Sequence, residues 1–354
     1  MTNTTELLGS INNTYGYVLM ALLTIAGLYF SIRTMVVQIR HLPEMMRTLV
    51  EQPETSSDGK KGISAFRAFT VSAASRVGTG NIVGVAVAIA LGGPGAIFWM
   101  WLLAIIGGAT AFVESTLGQL YKVKDKATGA FRGGPAYYLE RGLGRRWLAL
   151  LFVVAITFTY GFVFNMVQAN SITETTSQAI APLVDNPATM KWVNLELALV
   201  VAALTAAVIF GGIWRISAVS QVLVPIMALV YLGLGIFVCV VNYDKIPGVI
   251  SLIFQCAFGA QQVAGAGIGT AMMIGIRRGL FSNEAGMGSV PNASATAAVS
   301  HPVKQGFVQT LGVYFDTLII CSMTAFIILL SNPEYELRDG AVATQHALAH
   351  QLGD

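Results

Sequence analysis

Residues 75–101 read SRVGTGNIVGVAVAIALGGPGAIFWMW. Arg76 is the last charge before Glu114, so residues 77–113 are 37 consecutive positions without an ionisable side chain. A stretch this apolar suits a helix in a bilayer, yet it opens on Gly78, Gly80 and Gly84 and carries Gly92-Gly93-Pro94-Gly95 in its middle. In hydrocarbon every backbone N–H and C=O needs a partner, so a helix is interrupted only inside protein or beside a polar cavity. Small residues also let membrane helices pack closely, and that is the preferred reading of Gly84, Gly107 and Gly108. At 78–81 the polar atoms of Thr79 and Asn81 sit at the same level as the glycines and favour unwinding. The Gly-Gly-Pro-Gly cluster reads as a turn between two spans, with Phe98, Trp99 and Trp101 following at interface depth. GTGNIVG has neither the spacing nor the preceding strand of a dinucleotide-binding fingerprint.

The rest of the chain agrees with a bilayer as solvent. Of its 354 residues 55% are hydrophobic and 11% charged, against about 25% charged in a soluble domain. The charges cut the chain into long neutral blocks, and a spanning helix needs about 20 apolar residues. The first block reads as a retained helix rather than a secretion signal, because residues 1–14 hold Glu6 and no Lys or Arg. Cys239, Cys256 and Cys321 all fall in apolar blocks without metal-type spacing and read as small buried hydrophobes. The net charge of +3 calls for no nucleic acid partner, since the basic residues are spread as a membrane topology spreads them.

Eight spans fit the blocks: 15–32, 64–90, 96–118, 147–175, 194–213, 217–241, 248–276 and 306–330. With the N-terminus outside, 17 of the 21 Lys and Arg residues lie in cytoplasmic segments, as the positive-inside rule requires. The seventh span reads FGAQQVAGAGIGTAMMIGI, so two glycine-interrupted spans stand five apart. That spacing suits a five-helix inverted repeat whose first helices are both unwound, the arrangement in which transporters place substrate and ion sites. The final stretch VATQHALAHQL suggests a short surface helix.

The sequence at this point resembles the alanine or glycine:cation symporters. The matching stretches are VGTGNIVGVAVAIALGGPGAIFWMW, AFVESTLGQLYK, FRGGPAYYLERGLG, NMVQANSI, RRGLFSNEAGMGS and HPVKQGFVQTLGVYFDT. The resemblance implies an all-α integral membrane protein with a leucine-transporter-type inverted-repeat fold. One extra helix (15–32) would precede a first five-helix repeat (62–241) and a partial second repeat (246–354). A full second repeat needs spans seven to eleven, so the chain is expected to be truncated after the eighth. The first missing span normally gives hydroxyl ligands to a second sodium site. The implied activity is import of alanine, glycine or a similar small amino acid coupled to Na+, or in some members H+, across the inner (plasma) membrane of a bacterium. The alternative is a membrane-inserted remnant unable to complete transport. Oligomeric state is left open.

Individual polar residues follow. By the resemblance Asn81 is the leading side-chain ligand of the first sodium site, with Val77 beside it; the alternative for Asn81 is an interhelical hydrogen bond. Asp316, between the neutral runs 305–315 and 317–333, is an acid within a span and therefore a functional candidate; with Thr317 it faces the sodium site, carries a proton, or makes an ion pair or hydrogen bond within the bundle. The substrate carboxylate is expected at N–H groups of Gly78, Thr79 and Gly80, and the ammonium at carbonyls of the second break, among Gln262, Gly265 and Gly267. In NMVQANSI, Asn165 and Gln168 share a helix face, and one of them is expected to touch substrate or to join helices. Glu114 and Glu174 lie near span ends, where structural roles are expected. Arg76 is a candidate for a carbonyl or acid contact at the inner gate, and Glu284 for a hinge or clamp. No nucleophile–base pair points to an enzyme, no ring of like charges points to a channel, and His346 and His350 lack the glutamate of a zinc-protease motif.

Overall fold

A computed structural model describes residues 2–54, 62–126, 128–181, 187–259, 267–331 and 340–352. The first span is α1 (Thr2–Arg33), followed by two short helices, α2 (Val37–Arg40) and α3 (Leu42–Leu49). The second span is split into α4 (Ala65–Arg76) and α5 (Val83–Gly92). The Ser64 side chain caps α4 by accepting from the Arg67 N–H at 3.2 Å. Gly93, at φ 70°, ends α5 in a backbone conformation that glycine tolerates, and α6 (Gly95–Leu120) starts directly after Pro94.

A two-stranded antiparallel hairpin, β1 (Val123–Lys124) and β2 (Phe131–Arg132), and α7 (Pro135–Arg141) link α6 to the fourth span. That span is α8 (Arg146–Phe158), a π-helical segment Thr159–Val163 and α9 (Phe164–Ile180). The next two spans are α10 (Pro187–Ile209) and α11 (Gly212–Val241). The seventh is again two pieces, α12 (Ile246–Ala257) and α13 (Ile268–Asn283), with α14 (Val290–Ser294) after it. The eighth is α15 (Pro302–Tyr314), a second π-helical segment Phe315–Cys321 and α16 (Ser322–Ser331); α17 (Gly340–Leu352) follows. Among the described residues six helices are long and apolar enough to cross a membrane, and α5 and α12 are shorter apolar halves.

α6 and the α15–α16 span form the centre of the molecule and pack on each other. α13 crosses α6 at close range: a Cβ on Gly275 would overlap the Ala96 carbonyl oxygen, so only glycine lets the two backbones meet there. Val85, Ile89, Ile97, Met100, Ile253 and Ile327 make the apolar core around this crossing. The outer helices show the reverse pattern. Leu199, Leu204 and Ile209 on α10 and Leu150 and Leu151 on α8 are exposed, while Ser72, Gln305, Gln309 and Asp316 are buried. An apolar exterior around a polar interior is the arrangement a hydrocarbon solvent demands.

Packing adds detail that the sequence reading lacked. α17 is not a free surface helix: it lies on α5 and α16, buries Ala347 and holds Ser331 Oγ through the Ala347 carbonyl at 2.9 Å. The connection 284–300 folds back onto α6 and the start of the second span. Its Ala298 N–H donates to the Ile63 carbonyl at 2.8 Å, and Gln119 Nε2 donates to the carbonyls of Ser294 and Ala297. Glu114 and Glu284, read as interface or connection residues, are both buried.

Candidate functional site

The break in the second span begins where Val77 leaves the helix for an extended conformation (ψ 105°). Helical bonding resumes through Ile82 N–H to the Gly78 carbonyl at 3.3 Å and Gly84 N–H to the Thr79 carbonyl at 2.8 Å. Inside the break the Asn81 side chain replaces a missing main-chain partner: its Oδ1 accepts from the Gly78 N–H at 3.1 Å. The other end of the same amide crosses to the eighth span. Asn81 Nδ2 donates to Asp316 Oδ1 at 2.7 Å and lies 3.3 Å from both the Asp316 carbonyl and Cys321 Sγ.

Asp316 stands in the second π-helical segment. In a π turn the i→i+5 bonding widens the helix, a distortion frequent at functional sites, and Asp316 and Cys321 are five residues apart. Both are buried, as is Thr317. The carboxylate's second oxygen accepts from Ser282 Oγ at 2.7 Å and from Thr317 Oγ1 at 3.0 Å. Ser282 belongs to the last turn of α13, so the broken second span, the seventh span and the π segment of the eighth meet at one buried carboxylate.

A second polar layer lies beside it. Glu284 caps α13 with a left-handed backbone (φ 55°), an uncommon conformation for a residue with a Cβ and one that concentrates at functional positions. Its carboxylate accepts from Ser75 Oγ at 2.8 and 3.0 Å and from Ser289 Oγ at 2.6 Å. Glu114 accepts from the Gly286 N–H at 3.2 Å. Arg76, the last residue of α4, is 2% exposed, and its three guanidinium nitrogens have no hydrogen-bond partner among the described residues.

The expected substrate residues are placed unevenly. Gly78 lies against Gln168: a Cβ there would stand 2.8 Å from Gln168 Nε2, so these two are brought together across the spans. Gly80 is buried, Thr79 is half-buried, and Gly267 is the extended residue before α13. Asn165 is turned away from the break, is exposed and donates to the Gly161 carbonyl of its own helix at 3.1 Å. With Gln168 it lines a cavity of about 520 Å³ between α9 and α10. Gln262 and Gly265 fall outside the described residues.

Sequence reasoning did not find Ser282, Cys321 or Ser75, nor the stack of Tyr160 on Phe164 (ring centroids 4.7 Å) and Phe164 on Phe281 (5.3 Å). Phe281 Cδ1 would lie 3.6 Å from a Cβ on Gly80, so the stack forms one wall of the break. The position of Ser282, two before Glu284 in SNEAG, was the available signal for one of these. Cys321 carried none.

The model of the sodium:alanine symporter family matches residues 1–354. The chain belongs to the sodium:alanine symporter family. The amino-acid carrier protein AlsT of Bacillus subtilis is 54% identical over 92% of this chain and 67% of its own length. The "Probable sodium/glutamine symporter GlnT" of the same organism is 50% identical over 95% of this chain and 67% of its own. The sodium/alanine symporter AgcS of Methanococcus maripaludis is 37% identical, over 92% and 71%. The chain thus spans about two thirds of the length of the first two relatives.

The family is one of transporters rather than enzymes, and this sodium:alanine symporter family member offers chemistry suited to carrying an ion. One carboxylate, one amide and two hydroxyls gather at Asp316. Hard oxygen donors suit alkali and alkaline-earth cations. Among the described residues no group of three or more His, Cys, Asp or Glu side chains could hold a transition metal.

Proposed function

We propose that the chain imports small neutral amino acids, alanine or glycine, by symport with Na+ through alternating access. The observation that carries this reading is the Asn81–Asp316 bond across the break in the second span. Na+ binds there between Asp316, Thr317 Oγ1, the Asn81 amide oxygen and the Val77 carbonyl. As the Asn81 side chain stands, its NH2 end meets Asp316. Turning the amide about its last torsion presents Oδ1 instead, and an oxygen facing a carboxylate is stable only with a cation between them. The same turn takes Oδ1 away from the Gly78 N–H and frees that donor for a substrate carboxylate.

The amino-acid site is then the open backbone of Gly78–Gly80, with Gln168 beside Gly78 and Gln262, Gly265 and Gly267 of the second break on the ammonium side. Because one side chain answers to both ligands, each raises the affinity for the other, and the coupling is reciprocal. The two breaks, α4/α5 and α12/α13, lie five spans apart and support a leucine-transporter-type inverted repeat, 62–241 and 246 onward, after one extra helix. The Lys and Arg distribution supports an outside N-terminus in a bacterial inner membrane.

The test is uptake of labelled alanine into proteoliposomes under an imposed Na+ gradient. Accumulation that collapses when the gradient is removed, with glycine competing better than glutamine, is expected. Uptake that follows a pH gradient with K+ in place of Na+ would replace Na+ by H+ in this reading.

A further inference from the structure

Arg76 is not used by the mechanism above, and its surroundings are unusual. A buried guanidinium loses several kcal/mol of solvation and is normally held by a carboxylate with good geometry. Here Glu284, Asp316 and Glu114 all act on it through space, yet each of these carboxylates takes its direct hydrogen bonds from neutral groups. Asp316 has Asn81, Ser282 and Thr317; Glu284 has Ser75 and Ser289; Glu114 has the Gly286 N–H. Room is kept for the guanidinium on the span that carries Asp316. Gly312, one turn before Asp316, has no Cβ, and one placed there would overlap Arg76 Nη1.

We infer that Arg76 is an internal countercharge that competes with the transported cation for Asp316. It pairs with Asp316 when the cation leaves and withdraws toward Glu284 when the cation binds. Electrostatics gives the reason. An empty carrier must return across the membrane cycle with Asp316 still buried, and a buried carboxylate held only by neutral donors, without a countercharge, is costly. A guanidinium on a side chain long enough to reach it removes that cost without a second ion. The competition also makes cation binding weaker than the oxygen cage alone would give, which favours release on the side where Na+ is scarce. Arg76 is a positioning residue in this scheme and touches neither substrate nor cation.

This inference rests on the assignment of Na+ to Asp316, so the experiment separates the two. The full chain in proteoliposomes is assayed for Na+ half-saturation of alanine exchange, which needs no empty return, and for net Na+-driven uptake, which does. For Arg76→Gln the expected result is a Na+ half-saturation at least fivefold lower, exchange retained, and net uptake at least tenfold slower. Arg76→Lys keeps the charge and is expected to recover much of the net uptake. If Arg76→Gln does not reach the membrane, Gly312→Ala, which displaces Nη1, is expected to lower the Na+ half-saturation in the same direction. A wild type whose exchange ignores Na+ overturns the site assignment and this inference together. A Na+-dependent wild type with unchanged or raised half-saturation in these variants, or with exchange and net uptake lost in parallel, overturns only the countercharge.

Discussion

Asn81 and Gln168 mark what single residues reveal. Asn81 stood out in the sequence because a polar amide directly after Gly-Thr-Gly in an apolar run has to find a partner, and it does so twice, on the Gly78 N–H and on Asp316. Gln168 was one of two choices on a shared helix face. The choice could not be made from spacing, because the face shared with Asn165 is wide enough to front both the break and the groove toward α10. The contact with Gly78 puts Gln168, and not Asn165, beside the proposed amino-acid site. Gln168→Ala is therefore expected to raise the alanine half-saturation about two- to twelvefold, the worth of one neutral hydrogen bond of roughly 0.5–1.5 kcal/mol. Na+ affinity measured without amino acid should not move. An Asn165→Ala variant with the larger effect would reverse the assignment. The burial of Glu114 was not readable from its place near a span end, because that position says nothing about whether a loop folds back over the residue.

At the scale of elements, the two breaks and nearly every span were readable from charge spacing and glycine clusters. The π-helical segments were not. A π turn arises when one extra residue is accommodated in a helix, and no composition signal in FDTLIIC distinguishes it from an ordinary turn. The folded-back connection 284–300 was also hidden, because its Gly, Ser and Ala residues look like a solvated loop. It is anchored in part by Lys122, which donates to Gln119 Oε1 at 2.6 Å and the Ala297 carbonyl at 2.8 Å and stands 4.1 Å from the centre of the Phe131 ring. Lys122 lies past the end of α6, and burial pushes its ammonium down to about 8, with Glu54 partly opposing. In the unfolded chain a lysine titrates near 10.4. Between those values the unfolded state binds more protons, so this group's contribution to stability rises with pH from about 8 and levels off above the unfolded value. Thermal unfolding of detergent-solubilised protein should show wild type gaining on Lys122→Met between about pH 8 and 10. A difference flat across that range would mean the amine is solvated.

For the whole molecule, the class was the easiest property to read and the packing order the hardest. The fraction of apolar residues requires a bilayer, but it does not say which spans are central. α10 and α11 are as hydrophobic as α6, yet α6 is enclosed and α10 presents its side chains outward. What distinguishes α6 is its run of small residues, Gly107-Gly108-Ala109-Thr110-Ala111, all buried, which lets α15 approach it. Among the described residues three carboxylates are buried in the polar interior, and Asp316 joins the broken second span to the seventh and eighth, so the most direct test is made there. Na+-dependent binding of labelled alanine to the purified chain should have a half-saturating Na+ concentration at least about tenfold higher in Asp316→Asn than in wild type, equivalent to about 1.4 kcal/mol or more. An Asp316→Asn protein that binds alanine with the wild-type Na+ dependence would contradict the placement of the cation at the Asn81–Asp316 junction.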